Sequence, residues 1–244
     1  MGRENQPITY GKTWELPIVL PVSNEAGTVS KYLFIFSPAP ADIADNKIYY
    51  FLGDFDLSTG KFTPDERFAG IPQLLDYGAN VFTGPSAFID PVSGDVILFS
   101  IMQDQRGAGE QGASGWAHTA GLARKLWLSD DGYDLMMAPV EALTGLEEDI
   151  LISESNLTLE QANEKLAQVS GDMLHIKLTA DISKASEFGI HLKQGGKWDC
   201  TTYRYDTAEE YYTVFNFSFG RCNGDISKPA LRYHRCCSQN TRKF

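Results

Sequence analysis

Short apolar runs separated by tight polar turns make up most of the first 140 residues. Aromatic and aliphatic runs lie at 31–36, 47–52, 87–89, 96–102 and 122–128, and turns rich in Asp, Gly and Pro separate them. Repeated hairpins of this kind, with few helical periods, predict an all-β array of antiparallel strands. A sandwich, a barrel and a propeller all fit the pattern.

One helix interrupts the strands. Thr158-Leu159-Glu160-Gln161 fits a capping box, and apolar residues recur at helical spacing from Leu159 up to Gly171. Residues 173–178, 188–192, 201–204 and 211–219 then have the composition or alternation of strands. The sequence therefore predicts a β region over 1–145, a linker with a short helix over 146–170, a second β region over 171–230 and a basic tail over 231–244.

The run from Gly11 to Pro21 holds the first candidate for chemistry. Glu15 lies between Trp14 and an apolar stretch stiffened by proline, in which Pro17 is expected to keep Leu16 extended and Pro21 to end the strand. A carboxyl group that loses water on one side holds its proton more tightly, as a general acid requires. Most Glu residues are simply solvated, so local context alone favours a surface role.

Charge and residue counts narrow the classes of partner. The 244 residues carry a formal net charge of −11, which opposes binding to nucleic acid and suits a neutral substrate such as a sugar. No apolar run approaches the ~20 residues that span a membrane, so no membrane partner is predicted. The four cysteines and four histidines lack ligand spacing, so the sequence predicts neither a metal site nor a cofactor.

Residues 103–115 form a long polar segment rich in Gly and Gln. Long loops on β scaffolds often line sites, and a mobile surface loop fits the composition equally well. It is not a phosphate-binding loop, since no Gly-Lys-Ser/Thr follows.

Five short motifs follow one another between residues 10 and 215. They are Trp14-Glu15-Leu16-Pro17; Tyr50 to Asp56 with Phe62; Asp76-Tyr77-Gly78 with Phe82 to Pro91; Gly115-Trp116-Ala117 with Leu122 to Leu126; and Gly171 to Ile176 with Glu187 to Ile190. In this order the chain resembles glycoside hydrolase family 32, the invertases, levanases and inulinases. The shared order makes the resemblance specific.

The resemblance implies a fold, a reaction and a partner. The fold is a partial five-bladed β-propeller, about its last three blades over residues 1–145, followed by part of a β-sandwich over 171–230. The reaction is retaining hydrolysis of fructosyl bonds, with Glu15 as acid/base and a fructose-containing oligosaccharide or polysaccharide as partner. The substrate contacts expected are Trp14, Thr83, Asp104, Gln105 and Trp116.

Several family features are missing. The W-x-N-D-P-N-G motif of the nucleophile and the R-D-P motif of the stabilising Asp are absent, and Asp90-Pro91 is interpreted as a hairpin turn. We therefore expect an internal portion of a family 32 enzyme that is inactive alone and that self-associates through unpaired strand edges. Residues 1–6 lack a signal-peptide core, whereas the resemblance implies a secreted parent enzyme.

Two other functions stay open at this stage. In the first, the chain is a non-catalytic sugar-binding or remnant module in which Trp14, Trp116 and Trp127 stack on sugar rings, although packing is the commoner role of Trp in a β core. In the second, it is a scaffold that binds a protein partner, for which no positive feature exists beyond the strand edges. Binding of fructan without hydrolysis would favour the first.

Overall fold

A computed structural model describes residues 10–39, 47–77, 82–171, 173–195, 199–208, 211–217 and 233–234. The chain divides into two compact units, Met1–Glu141 and Ala142–Phe244. The domain boundaries drawn from the sequence stay predictions. The basic residues at 232, 235, 242 and 243 and three of the four cysteines lie outside the described residues, and so does the side chain of Cys200.

The first antiparallel sheet of unit 1 has five strands. They are β1 (Thr13–Ser23), β2 (Ser30–Ala39), β3 (Tyr49–Asp56), β4 (Lys61–Pro64) and β5 (Gln73–Leu74). The strand order is β1-β2-β3-β4, and the two-residue β5 pairs with β3. Each long strand coincides with an apolar run found in the sequence, so the pattern predicted this sheet well.

The second antiparallel sheet also has four strands in sequence order and one short additional strand. Its strands are β6 (Phe82–Ile89), β7 (Val96–Met102), β8 (Thr119–Ala120), β9 (Arg124–Leu128) and β10 (Leu135–Pro139), in the order β10-β9-β7-β6 with the short β8 on β7. Helix α1 (Ala108–Ser114) lies between β7 and β8. β1 and β6 are thus the end strands of their sheets, and they contact each other.

A single apolar core joins the two sheets. Alternate residues of the central strands contribute to it, among them Leu33 and Ile35 from β2, Leu52 from β3 and Leu98 from β7. In a strand, every second side chain points to the same face, so these residues cover one surface of each sheet. The described residues of unit 1 therefore form two packed, blade-like sheets.

Unit 2 contains a helix and a third antiparallel sheet. Helix α2 (Leu159–Leu166) begins at Thr158, whose Oγ1 accepts a hydrogen bond from the Gln161 N–H, which confirms the predicted capping box. The sheet has the order β11 (Glu187–Gly195), β12 (Asp199–Asp206), β13 (Tyr211–Phe217) and β14 (Tyr233–His234). Three of the strands predicted after residue 171 therefore exist.

Two expectations about strands are wrong. Residues 173–178 form no strand, and Leu174, Ile176 and Leu178 are exposed, because alternation alone provides no neighbouring strand to pair with. Pro21 does not end β1; it pairs with Tyr32 and the strand continues to Ser23. Proline is tolerated there because β1 is an end strand.

The helices of the described part of the chain are too short and too polar to cross a membrane.

Candidate functional site

The starts of β1 and β6 lie at the same end of unit 1. The start of β1 pairs with the end of β2, and the end of β2 pairs with the start of β3. The start of β3 also pairs with β5, which is followed closely by Asp76. The Asp76 carboxylate accepts a hydrogen bond of 2.7 Å from Nη1 of Arg124. The Arg124 guanidinium in turn lies 4.7 Å from the ring centre of Phe82, the first residue of β6.

We call this end the rim: the starts of β1 and β6 together with the segments that follow β5 and β7. The segment after β7 belongs to it because Met102, the last residue of β7, pairs with Phe82. All six predicted site residues, from Trp14 and Glu15 to Trp116, lie on the elements or segments of the rim. Arg124 and Asp76 both belong to the motifs quoted above, but the sequence did not show that they pair, because they are 48 residues apart.

Glu15 is held at the start of β1, opposite Ser37 of β2. Its side chain is exposed, so the expectation that it loses water on one side is wrong in this structure. The neighbouring Trp14 is 45% exposed. The Trp14 indole stacks on Phe36 at a centroid distance of 4.0 Å and donates a hydrogen bond of 3.0 Å from Nε1 to the Tyr10 carbonyl. The indole is therefore fixed, with part of its surface open to solvent.

A β-bulge follows Glu15 directly. β1 advances from Glu15 to Ile18 while β2 advances only from Ser37 to Ile35, so β1 contains one extra residue. Leu16 has φ 51°, a left-handed backbone, which overturns the expectation that Pro17 keeps it extended. Bulges of this type usually place glycine in the left-handed position, because a side chain there is strained. Strained backbone that persists beside a candidate catalytic residue points to a positioning role.

β6 has a matching β-bulge at its own start. It advances from Thr83 to Ser86 while β7 advances from Ile101 to Phe99, and Gly84 has φ 55° and precedes Pro85. In both strands a left-handed residue and then a proline follow the predicted site residue. Thr83 of β6, which is half-buried, thus stands where β1 has Glu15. This correspondence between the two sheets was not predicted from the sequence.

Leu16→Gly is expected to raise the free energy of unfolding by about 0.5–1 kcal/mol. Glycine relieves the left-handed strain, of about 1–2 kcal/mol, and this exceeds the entropy that it adds to the unfolded chain. Urea denaturation monitored by tryptophan fluorescence measures the change. The control is Leu57→Gly, at an exposed turn residue without positive φ, which is expected to destabilise slightly. A loss of stability in Leu16→Gly would show that Leu16 is not strained.

The segment after β7 is not the long loop that its composition suggested, because residues 108–114 form helix α1. Both carboxylate oxygens of Asp104 accept hydrogen bonds from Arg106, at 2.6–3.0 Å. The Arg106 guanidinium lies 4.0 Å from the ring centre of Trp116. The structure thus brings together two of the predicted substrate contacts through Arg106, while Gln105 between them is exposed.

The electrostatics of this segment follow from that ion pair. Hydrogen bonds from Arg106 lower the pKa of the Asp104 carboxyl, and Asp104 in turn raises the pKa of the Arg106 guanidinium. Both groups are therefore charged at neutral pH. Because Arg106 binds both carboxylate oxygens of Asp104, we expect Asp104 to stabilise the fold of the segment rather than to bind a ligand.

Asp90 is a turn residue, as the sequence suggested. Its carboxylate accepts hydrogen bonds from the Val92 N–H and the Ser93 hydroxyl, which lower its pKa, and the turn connects β6 to β7. Among the described residues, no group of His, Cys, Asp or Glu side chains is arranged to hold a metal ion.

Comparison with known proteins identifies the family. The sequence profile of the glycosyl hydrolases family 32 N-terminal domain matches residues 2–139, more than half of the 244 residues. The chain belongs to glycosyl hydrolase family 32. This family 32 chain is 32% identical over 146 residues to the insoluble β-fructofuranosidase isoenzyme 3 of Oryza sativa subsp. indica. The matched region is 57% of this chain and 24% of the rice enzyme.

Two solved structures of family 32 enzymes have the same fold. Exo-inulinase from Aspergillus awamori superposes with a TM-score of 0.61 at 18% identity, over 90% of this chain and 44% of that one. The β-fructofuranosidase of Bombyx mori gives a TM-score of 0.57 at 20% identity, over 82% and 40%. The fold class is thereby confirmed: an all-β chain with part of a β-propeller and part of a β-sandwich. The chain spans less than half the length of either enzyme.

Proposed function

We propose that this family 32 chain contributes the acid/base part of a fructosyl hydrolase site, with Glu15 as the proton donor. The observation that carries the proposal is the position of Glu15: exposed at the rim, beside a fixed indole and directly before a strained bulge. In a retaining mechanism one carboxylate attacks the anomeric carbon while the acid protonates the departing oxygen. Glu15 fits the second role by its place in the Trp14-Glu15-Leu16-Pro17 motif.

The substrate class follows from the relatives. A variant of the Bombyx mori enzyme was solved with sucrose, and the fructofuranosidase of Schwanniomyces occidentalis was solved with fructose. We propose a fructose-containing saccharide of the sucrose, inulin or levan type as the ligand of this chain. Thr83 and Gln105 are proposed to contact it, and the indoles of Trp14 and Trp116 to stack on its rings.

The isolated chain is proposed to be inactive. Its 244 residues contain neither the W-x-N-D-P-N-G motif nor the R-D-P motif that supply the attacking and stabilising carboxylates in the family. A double displacement needs the attacking carboxylate about 5–5.5 Å from the acid. Glu15 without such a partner can donate a proton but cannot form the covalent intermediate.

The experiment is release of glucose and fructose from sucrose by the pure chain, with and without sodium azide. Azide can replace the missing carboxylate by bonding to the anomeric carbon while the glycosidic C–O bond breaks and the departing oxygen takes the Glu15 proton. We expect no release without azide, slow glucose release with it, and a loss of about 100-fold or more of that rate in Glu15→Gln. Glu25→Gln, at an exposed residue between β1 and β2, is the matched control.

Each other outcome contradicts a specific part of the proposal. Release without azide that Glu15→Gln abolishes would mean that the chain contains its own nucleophile. Equal rescue of both variants would remove Glu15 from the acid role. If azide rescues no activity in a chain that binds sucrose, the second candidate function is favoured: a module that binds sugar without cleaving it. The exposed indoles of Trp14 and Trp116 support that function.

A further inference from the structure

Trp116 has one face covered and the rest of its indole open. The Arg106 guanidinium lies 4.0 Å from the ring centre, and a planar cation at that distance covers the face beneath it. Trp116 is nevertheless 54% exposed, so its remaining surface faces solvent. Trp116 is therefore not part of the apolar core of the described residues, and its open surface is available for contact.

Arg106 is itself held by hydrogen bonds from three of its nitrogens. Its Nε and Nη2 donate to the Asp104 carboxylate, its Nη1 donates to the Ser114 hydroxyl at 3.1 Å, and its Nη2 also donates to the Trp116 carbonyl at 3.2 Å. The Asp104 side chain is only 7% exposed. A planar guanidinium bound in this bidentate way has little freedom to rotate.

The chain around this pair is anchored as well. The Gln111 amide donates to the Asp104 and Arg106 carbonyls at 3.3 and 3.1 Å, and the Asp104 N–H donates to Nδ1 of His118 at 3.1 Å. Residues 104–118 therefore form one connected network that begins two residues after β7, at the rim. The network keeps the open surface of Trp116 in a fixed place.

We propose that Arg106 is a positioning residue that holds Trp116 as a stacking platform for a sugar ring of a fructose-containing oligosaccharide. The proposal rests on the proposed function for its ligand class and adds to it a residue that touches no substrate. Stacking on an indole uses the apolar C–H face of a sugar ring and needs an aromatic plane that does not move. Arg106 holds the indole plane in place by stacking on its opposite face.

The ion pair between Asp104 and Arg106 resists mild acid. Hydrogen bonds from Arg106 lower the pKa of Asp104 below its ordinary value of about 3.8, so this carboxyl is still mostly ionised at that pH. The groups that face Arg106 are Asp104 and Glu110, and His118 faces Asp104. Between neutral pH and that value the contacts of Arg106 to Asp104 persist.

The test uses the indole N–H resonances of the full chain in ¹H–¹⁵N NMR, with Trp116 assigned by Trp116→Phe. Without ligand, Arg106→Lys is expected to shift the Trp116 resonance, because lysine keeps the charge but lacks the planar fork. Arg67→Lys is the matched control, because the Arg67 guanidinium stacks on Phe68 at 4.5 Å and on Tyr133 at 5.0 Å in the same unit. This substitution should leave the Trp116 resonance unchanged. An unshifted Trp116 resonance in Arg106→Lys overturns the positioning role.

Titration with 1-kestose then tests the platform. We expect 1-kestose to perturb the Trp116 resonance of the wild-type chain, and Arg106→Lys to weaken binding by about 3–10-fold with Arg67→Lys unchanged. Equal affinity in wild type and Arg106→Lys overturns the proposal. If 1-kestose perturbs other resonances but not Trp116, the platform is wrong while the proposed function stands; if it perturbs none, both are wrong.

Discussion

Leu33→Ala is expected to lower the free energy of unfolding of unit 1 by about 2–5 kcal/mol. Leu33 is 0% exposed at the centre of β2, where it pairs with Leu20 of β1 and Leu52 of β3, both of them buried. Removing its side chain leaves a cavity between the two sheets. The cavity stays open because β1, β2 and β3 could close it only by breaking the hydrogen bonds between them. Urea denaturation, monitored by tryptophan fluorescence, gives the change as a shift of the midpoint.

The matched control is Leu57→Ala. Leu57 is 78% exposed in the turn between β3 and β4, so the same chemical change there should alter stability by no more than about 0.5 kcal/mol. If the two variants lose similar stability, the core does not lie between the sheets as described.

Gly53→Ala is the second large effect, about 2–3 kcal/mol of lost stability. A Cβ at this position of β3 would lie 2.1 Å from the Thr63 carbonyl oxygen and 2.9 Å from Cα of Pro64, both backbone atoms of β4. No flexible side chain is there to move aside, so β4 must shift away from β3. The family motif from Tyr50 to Asp56 has its glycine at this point, and the close approach of β4 gives the physical reason.

The measurement for Gly53→Ala is local as well as global. The Asp65 N–H donates a hydrogen bond of 2.9 Å to the Leu52 carbonyl, just beyond β4, and its hydrogen exchange should accelerate when β4 moves. Gly109→Ala is the control, since Gly109 lies inside α1 with nothing within 4 Å of the added Cβ, and it should gain about 0.5–1 kcal/mol. Unchanged exchange at Asp65 would contradict the predicted clash.

Local signals in the sequence predicted the local structure. The capping box at Thr158 places the start of α2 correctly because both of its hydrogen bonds join residues three apart. The Asp90 turn was recognised for the same reason. Residues 173–178 failed because their alternation specifies a face but not a strand to pair with, and only the folded chain decides whether one is there.

The candidate site was predicted less completely, and the two arginines explain why. Arg106 connects Asp104 to Trp116, and Arg124 connects Asp76 to Phe82. The contacts of Arg106 with Trp116 and of Arg124 with Asp76 join residues whose distance in space no spacing rule gives. The motif order found Glu15 and Trp14, whereas the left-handed Leu16 and the matching bulge at Gly84 required backbone angles. The exposure of Glu15 likewise depends on tertiary structure.

The prolines of the two end strands affect how copies of the chain meet. Within the described residues β1 pairs only with β2, and β6 only with β7, so each has one side that is not hydrogen-bonded to another strand. A proline has no N–H, so Pro17 and Pro21 in β1 and Pro85 in β6 each remove one backbone donor from these end strands. We therefore expect an incoming strand to find fewer backbone donors on β1 and β6, which would weaken the self-association through strand edges expected from the sequence.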